Sequence, residues 1–85
     1  MEKNETIQKY YNVALKIKRR DDLYGISKEL ALQLIGAEFN VASLDIQKRH
    51  FDSMVLARFL IAGSNGIKAS PTIQTQYDEW EKKQL

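Results

Sequence analysis

The chain has 85 residues, which is the length of one small domain. Apolar residues make up 44% of it and the net charge is only +2, a balance that favours a folded globular protein over a disordered chain. The sequence has no cysteine, which excludes disulfides, thiolate metal sites and cysteine nucleophiles. Its one histidine, His50, would have to serve any zinc site or serine–histidine–aspartate triad alone. We therefore expect no metal, no cofactor and no enzymatic activity.

The first ten residues, MEKNETIQKY, lack the apolar stretch of a signal peptide. The longest apolar run, MVLARFLIA at residues 54–62, includes Arg58. It is also much shorter than the roughly 20 residues that a membrane-spanning helix needs. We therefore expect a cytoplasmic protein.

Apolar residues recur at helical spacing in four segments separated by short connections. The predicted helices cover residues 5–19, 23–39, 44–62 and 71–83. No segment has a convincing strand partner. This pattern predicts an all-α protein with the architecture of an antiparallel four-helix bundle. The third helix is apolar almost all round, so we expect it to be the central one.

Capping residues support the predicted ends of these helices. The residues suited to cap the first three are Asn4, Asp21 or Asp22, and Ser43. The stretch GSNG at residues 63–66 is interpreted as a helix stop, because glycine adopts the left-handed conformation cheaply. Ser70 and Pro71 then predict the N-cap and the first position of the fourth helix.

Three residues inside the predicted helices need a specific explanation. Gly25 and Gly36 each cost a helix about 1 kcal/mol relative to alanine. We expect one of them to allow close helix packing. Arg58 interrupts an apolar run, so we expect it to extend to solvent from a half-buried position or to pair with a carboxylate. The candidate carboxylates are Glu38 and Asp45.

Tyr77 and Trp80 share the inner face of the predicted fourth helix with Ile73. Two interpretations of this aromatic pair stay open. The pair closes one end of a small core, or it forms a patch that binds a partner, because tyrosine and tryptophan are enriched in binding hot spots.

Charge is distributed unevenly along the chain. The first and third predicted helices are net basic and the second is net acidic, which suits helix pairing and a solvated surface. The basic residues also form a candidate patch for an anionic membrane surface or nucleic acid. Its members are Lys16, Lys18, Arg19, Arg20, Lys48 and Arg49.

The stretch FDSMVLARFL at residues 51–60 resembles the signature of phosphopantetheine carrier domains. In that signature an Asp-Ser pair, here Asp52 and Ser53, precedes a hydrophobic helix. The resemblance implies attachment of a prosthetic arm to Ser53. Two features depart from it: KRHF replaces the small residues that usually precede the pair, and Ser53 lies inside a continuous helical pattern.

Residues 26–51 resemble a helix-turn-helix motif, with Gly36 near the turn and Lys48 and Arg49 on the following helix. This resemblance implies a small DNA-binding or phage or plasmid regulatory protein. The interval from Ala31 to Gly36 is one residue longer than in the motif, so the turn departs from the pattern.

Three stretches carry a resemblance that spans nearly the whole chain: IQKYYNVAL, DDLYGISKELALQLI and FDSMVLARFLIAGSNGIKASPTIQTQYDEW. They are similar, in order, to the first helix, the leucine-rich second helix, and the third helix, turn and last helix of one family. That family is the small immunity proteins that protect lactic acid bacteria from class II, pediocin-like bacteriocins. Its fold is an antiparallel four-helix bundle.

The family resemblance implies a function without chemistry. Such a protein acts in the cytoplasm, binds the receptor permease once bacteriocin has engaged it, and blocks pore formation. The permease is a mannose-type phosphotransferase system. Peripheral contact with the membrane is compatible with this role, and nucleic acid is not an expected partner. In the family the C-terminal half determines which bacteriocin is recognised, which implies partner-binding roles here for Ile67, Lys68, Tyr77 and Trp80.

Overall fold

The structure is a computed structural model that describes residues 4–20, 25–64 and 66–84. Most of these residues lie in four helices, α1 (Glu5–Arg20), α2 (Lys28–Phe39), α3 (Leu44–Leu56) and α4 (Ile73–Lys83). Two short antiparallel strands, β1 (Leu60–Ala62) and β2 (Ile67–Ala69), lie between α3 and α4. The prediction of a mainly helical protein with four helices is confirmed. The small sheet was not predicted.

Helix α1 is the central helix of the fold. Asn4 caps it as predicted, because its Oδ1 accepts a hydrogen bond from the backbone N–H of Ile7 at 3.1 Å. Its buried residues are Tyr10, Tyr11, Val13, Ala14 and Ile17. It packs against α2, β2 and α4, whereas α3 packs mainly against α2 and β1. The prediction that the third helix is central is therefore wrong.

Helix α2 begins at Lys28, later than the predicted residue 23. Ser27 is its N-cap, and the Ser27 Oγ accepts a hydrogen bond from the Leu30 N–H at 3.1 Å. The predicted caps Asp21 and Asp22 lie outside the described residues. The observed start of α2 is therefore set by Ser27, which lies later in the chain than the predicted caps.

Gly25, before α2, and Gly36, within α2, each leave space that a neighbouring segment occupies closely. Ile26 and Ile67 exchange backbone hydrogen bonds of 2.9 and 2.7 Å, and Gly25 lies beside them with φ +81°. A Cβ at Gly25 would lie 2.6 Å from the carbonyl oxygen of Ile67. A Cβ at Gly36 would lie 2.5 Å from Nε2 of Gln47 on α3. Gly36 is thus the glycine that permits close helix packing, and Gly25 instead permits a contact with β2.

Helix α3 starts at the predicted position and ends earlier. The Ser43 Oγ accepts from the Ile46 N–H at 3.4 Å, as expected of its cap. The helix ends at Leu56 rather than at residue 62. The predicted continuation fails because residues 57–59 turn the chain out of the helix.

The turn after α3 is a Schellman motif. The N–H of Phe59 donates to the carbonyl of Met54 at 2.8 Å, and the N–H of Arg58 donates to that of Val55 at 3.1 Å. Arg58 occupies the C′ position with φ 67°, in the left-handed region where glycine is usual. Phe59 and Met54 are both buried, which provides the apolar contact that accompanies this motif.

A β-hairpin occupies the stretch that was predicted to stop a helix. The paired residues are Leu60–Ala69, Ile61–Lys68 and Ala62–Ile67. Across the loop the N–H of Gly63 donates to the carbonyl of Gly66 at 2.9 Å. The predictions of a helix stop at residues 63–66 and of a helix to residue 62 are therefore wrong. Strand alternation buries Ile67 and Ala69 while leaving Lys68 half-buried between them.

Helix α4 begins at Ile73, after a turn formed by Ser70 and Pro71. The N-cap position belongs to Thr72, which makes no side-chain capping bond, so the prediction of Ser70 as N-cap is wrong. Ser70 is still part of the hairpin, because its N–H donates to the carbonyl of Phe59 at 3.0 Å. Its own carbonyl accepts from the Ile73 N–H at 3.0 Å.

Each helix and β1 contribute to a single core. The largest side chains with almost no exposure are Val13, Ile17, Ile35, Met54, Leu60 and Ile73. None of the helices in the described ranges is sufficiently long and apolar to span a bilayer.

Candidate functional site

Tyr11, Tyr77 and Trp80 form a cluster that we call the aromatic seam, where α4 packs on α1. The ring centroid of Tyr11 lies 5.4 Å from that of Tyr77 and 5.3 Å from that of Trp80. The Tyr11 hydroxyl donates to the backbone carbonyl of Gln76 at 3.3 Å. Tyr11 is buried, whereas Tyr77 and Trp80 are half-buried against the core. The pair therefore closes one edge of the core and also presents ring surface to solvent.

Burial and neighbouring acidic residues raise the pKa of both tyrosines of the seam. Burial and then the charge of Glu79 raise the pKa of Tyr11. Glu81, beside the Tyr77 hydroxyl, raises the pKa of that group, and Gln8 partly offsets the effect. A tyrosine hydroxyl is protonated at physiological pH even with its ordinary pKa of about 10, and the raised pKa values extend the range in which these two groups can donate hydrogen bonds.

The other two residues of the implied partner-binding set lie on β2. Ile67 is buried, so it stabilises the hairpin and the core. Lys68 is half-buried at the next strand position, opposite Ile61 on β1. Among the four residues implied by the family resemblance, Tyr77 and Trp80 are in ring contact with each other, with their centroids 6.2 Å apart.

The predicted basic patch lies on two helices. Lys16 forms an ion pair of 3.2 Å with Glu38 on α2. The remaining members are exposed, with Lys18, Arg19 and Arg20 in the last turn of α1 and Lys48 and Arg49 on α3. In the described ranges no hydrogen bond, ion pair or ring contact joins the α1 group to the α3 group.

Arg58 does not make either of its predicted pairings. Glu38 instead accepts hydrogen bonds from Lys16 at 3.2 Å and from Asn12 at 3.1 Å, both on α1. Arg58 is exposed after α3, and no ion pair within the described part of the chain involves it or Asp45. The predictions that Arg58 is half-buried or paired with these carboxylates are wrong, because the Schellman turn carries it out of the helix.

His50 belongs to a packed cluster at the contact of α1, α2 and α3. The Tyr10 Oη lies 2.8 Å from the His50 Nδ1, and the Phe39 ring stacks on the imidazole with centroids 4.0 Å apart. Burial lowers the pKa of His50, so the neutral imidazole is favoured. Within the described residues no group of three or more histidine or acidic side chains is arranged to hold a metal ion.

A groove that the sequence does not predict lies between the end of α3, strand β1 and the turn at residues 70–71. Its volume is about 590 Å³. The lining includes Leu56, Arg58, Leu60, Ile61, Ala62 and Pro71. Leu56 is 86% exposed and Ile61 is 47% exposed. A continuous third helix would have placed both on its apolar faces, so only the Schellman turn and the hairpin reveal this surface.

The residues of the carrier-domain resemblance and of the helix-turn-helix resemblance can both be located on the fold. Ser53 is exposed inside α3, one turn before the helix ends, rather than at a helix N-terminus. Residues 40–43 connect α2 to α3, with Asn40 in the left-handed conformation at φ 56°. The exposed first turn of α3 carries Leu44 and Asp45, which is an apolar and acidic surface.

No protein-family model, curated protein or solved structure matches this chain. The function of the chain must therefore be inferred from its own sequence and surfaces.

Proposed function

We propose that this protein is an immunity protein of the class II bacteriocin type, which acts by binding and catalyses no reaction. Its partner would be a receptor permease of the mannose-type phosphotransferase system with bacteriocin bound. Binding on the cytoplasmic side would block the pore and protect the producing cell. The sequence resemblance supports this proposal, and the structural observation that favours it is the half-exposed aromatic seam.

The seam combines properties of a binding hot spot. Helix α4 packs chiefly on α1 and is anchored by the buried Ile73, while Tyr77 and Trp80 keep exposed ring surface. Contacts with Tyr11 restrict these rings before a partner arrives. Ordered aromatic side chains provide large contact area with little entropy left to lose on binding.

The basic residues fit a protein that works next to a membrane. Lys18, Arg19 and Arg20 are exposed at the end of α1, and Lys48 and Arg49 are exposed on α3. Each basic residue near an anionic leaflet contributes about 1 kcal/mol of attraction at ordinary ionic strength. Such a surface would increase the concentration of the protein beside a permease.

The test is rescue of a sensitive lactic acid bacterium that expresses the chain, challenged with a panel of class II bacteriocins. We expect protection against one or a few members and reduced protection by Trp80→Ala. The matched control is Ile73→Val, which destabilises the buried anchor of the same helix without changing the seam surface. If the folded wild-type protein protects against no member of the panel, the proposal is refuted.

One observation favours DNA binding as a second candidate function. Helices α2 and α3 are joined by residues 40–43, and Lys48 and Arg49 are exposed on α3. Leu44 and Asp45 weaken this candidate, because the first turn of a recognition helix normally contacts base edges. Duplex binding that weakens steeply with salt and is lost in Lys48→Ala would support it over immunity.

A further inference from the structure

Within the described residues, a single hydrogen bond joins the central helix α1 to α3. The Tyr10 Oη on α1 lies 2.8 Å from the His50 Nδ1 on α3. No backbone hydrogen bond in the described ranges connects these two helices. Because α3 packs mainly on α2 and β1, the Tyr10–His50 bond is its main polar attachment to the central helix.

This bond provides the Tyr10 hydroxyl with an acceptor. Tyr10 is only 7% exposed, and no other described side chain or carbonyl accepts from its hydroxyl. A neutral imidazole with its proton on Nε2 accepts at Nδ1, and this tautomer satisfies the buried hydroxyl. The balance of donors and acceptors therefore makes Tyr10 the donor and His50 the acceptor.

Protonation of His50 would remove this acceptor. Both ring nitrogens of an imidazolium are donors, so the Tyr10 oxygen would accept from Nδ1 and its own proton would have no partner. A buried donor without a partner carries its full desolvation penalty. The charged form of His50 would thus weaken the link between α1 and α3.

Cations already lie around the imidazole. The Lys9 Nζ on α1 lies over the Phe39 ring, 5.3 Å from its centroid, and His50 stacks on the same ring. A phenyl ring attracts a cation, and a protonated imidazole would share this attraction with Lys9. Lys48 and Arg49 are exposed immediately before His50 on α3. A charge on His50 would therefore be added to a region that is already basic.

The carboxylates adjacent in sequence to this cluster do not neutralise His50. Glu38, next to Phe39 on α2, accepts from Lys16 at 3.2 Å and from Asn12 at 3.1 Å, both on α1. Asp52 on α3 is exposed, and no ion pair of the described residues includes His50. Burial lowers the pKa of His50, so these surroundings favour the neutral imidazole.

His50 is also the only histidine in the sequence. Histidine is the side chain whose ordinary pKa allows a change of charge between pH 5 and 8. A structural response to pH in this range can therefore be assigned to one side chain.

We propose that the Tyr10–His50 hydrogen bond is an acid-sensitive link, which holds α3 against α1 while the imidazole is neutral and loosens when it is protonated. The change would be local to α3, because α1 and α4 remain joined through the aromatic seam. Lys48 and Arg49 would move with α3, so acid would also alter the position of these cations. This inference does not rest on bacteriocin immunity, because it concerns the contact of α3 with α1 rather than the seam.

Hydrogen exchange of the full chain at pH 7.5 and 5.0 tests this link. Protection factors are compared, since they correct for the intrinsic effect of pH on exchange. At pH 5.0 we expect the amides around His50 in α3 to lose protection about tenfold, the loss expected when a buried hydroxyl has no acceptor. Because the opening is local, it should depend weakly on urea, whereas amides of α1 and α4 should keep the steeper dependence of global unfolding.

Three conservative variants separate the hydrogen bond from burial. His50→Gln keeps an acceptor for Tyr10 but does not titrate, so protection of α3 should be the same at both pH values. Tyr10→Phe keeps the buried ring and removes the hydroxyl, so the pKa of His50, measured by NMR titration, should rise toward 6.5. Tyr11→Phe is the matched control, because it removes a buried hydroxyl of α1 that donates to Gln76 on α4, and it should leave the pKa of His50 unchanged.

Three results would overturn the inference. An equal loss of α3 protection in His50→Gln would assign the response to carboxylates. A loss with the same urea dependence in α1, α3 and α4 would mean that acid destabilises the whole domain without loosening α3. An unchanged His50 pKa in Tyr10→Phe would mean that burial alone sets the response. The rescue assay at neutral pH does not depend on this link, so the two results can be interpreted separately.

Discussion

Replacing Arg58 by glycine is expected to make the protein more stable. Arg58 adopts φ 67° at the C′ position of α3, with its N–H bonded to Val55 and the next N–H bonded to Met54. The left-handed conformation costs an L-residue roughly 1–2 kcal/mol, and glycine avoids this cost. Glycine also gives the unfolded chain more freedom, which offsets about 0.4–1 kcal/mol. The net gain in unfolding free energy is about 0.5–1 kcal/mol.

Thermal and urea denaturation followed by circular dichroism measure this gain. For a domain of this size the midpoint temperature should rise by about 2 to 6 °C, and the urea midpoint should rise with an unchanged slope. Arg58→Asn should give a smaller increase, because asparagine tolerates this conformation. Arg58→Val should lower the midpoint, because a β-branched residue does not.

Ala57→Gly is the matched control one residue earlier. Ala57 has φ −85° and does not need glycine, so this variant should lose stability. A lower midpoint for Arg58→Gly would refute the argument, since it would mean that the arginine side chain stabilises the fold by more than its backbone conformation costs.

Three further predictions concern the core and its pH dependence. Gly25→Ala should lower the unfolding free energy by about 2 kcal/mol in urea denaturation, because the added Cβ would meet the Ile67 carbonyl oxygen at 2.6 Å with φ at +81°. Met54→Ala should cost about 2–5 kcal/mol, whereas Leu56→Ala, at a side chain 86% exposed, should change the midpoint little; equal effects would contradict the burial described here. Burial lowers the pKa of His50 in the folded protein below its ordinary value of 6.5. Above pH 6.5 the imidazole is therefore mostly neutral in both the folded and the unfolded protein. As the pH falls below 6.5 the unfolded chain binds the proton first, so the free energy of unfolding should decrease. Melting curves between pH 7.5 and about 5.5 should show this fall, and His50→Gln should reduce it.

Local signals predicted the helices that begin with a clear cap. Asn4 and Ser43 each accept the expected N–H, and α1 and α3 start where the sequence indicates. The end of α3 could not be predicted in the same way. It depends on Arg58 in the left-handed conformation, which residue preferences disfavour, and on burial of Phe59 against Met54.

The hairpin illustrates an ambiguity of short apolar runs. Residues 59–62 are compatible with a buried helix or a strand, and periodicity alone cannot distinguish them. The signal that favours a hairpin is Asn65–Gly66 between two apolar runs, because this dipeptide is typical of hairpin turns. The pairing of Ile26 with Ile67 has no local signal, since the two residues are distant in sequence.

The candidate site was predictable only in part. Spacing along α4 predicts that Tyr77 and Trp80 share a face, and their ring contact agrees with it. The third ring of the seam, Tyr11, depends on how α1 and α4 pack, which spacing within one helix does not specify. The groove depends in turn on the chain leaving the helix after Leu56.

The two hydrogen bonds between Ile26 and Ile67 have a consequence for folding kinetics. They close a long loop that contains α2, α3 and β1, and closing it costs chain entropy before the pairing can stabilise it. Among the described residues β1 pairs only with β2, and the two strands are close in sequence, so this hairpin can form first. Ile26 can then pair with Ile67 on the formed hairpin. We therefore expect changes in the 63–66 loop to slow folding, and changes at the Ile73 anchor of α4 to act mainly on the rate of unfolding.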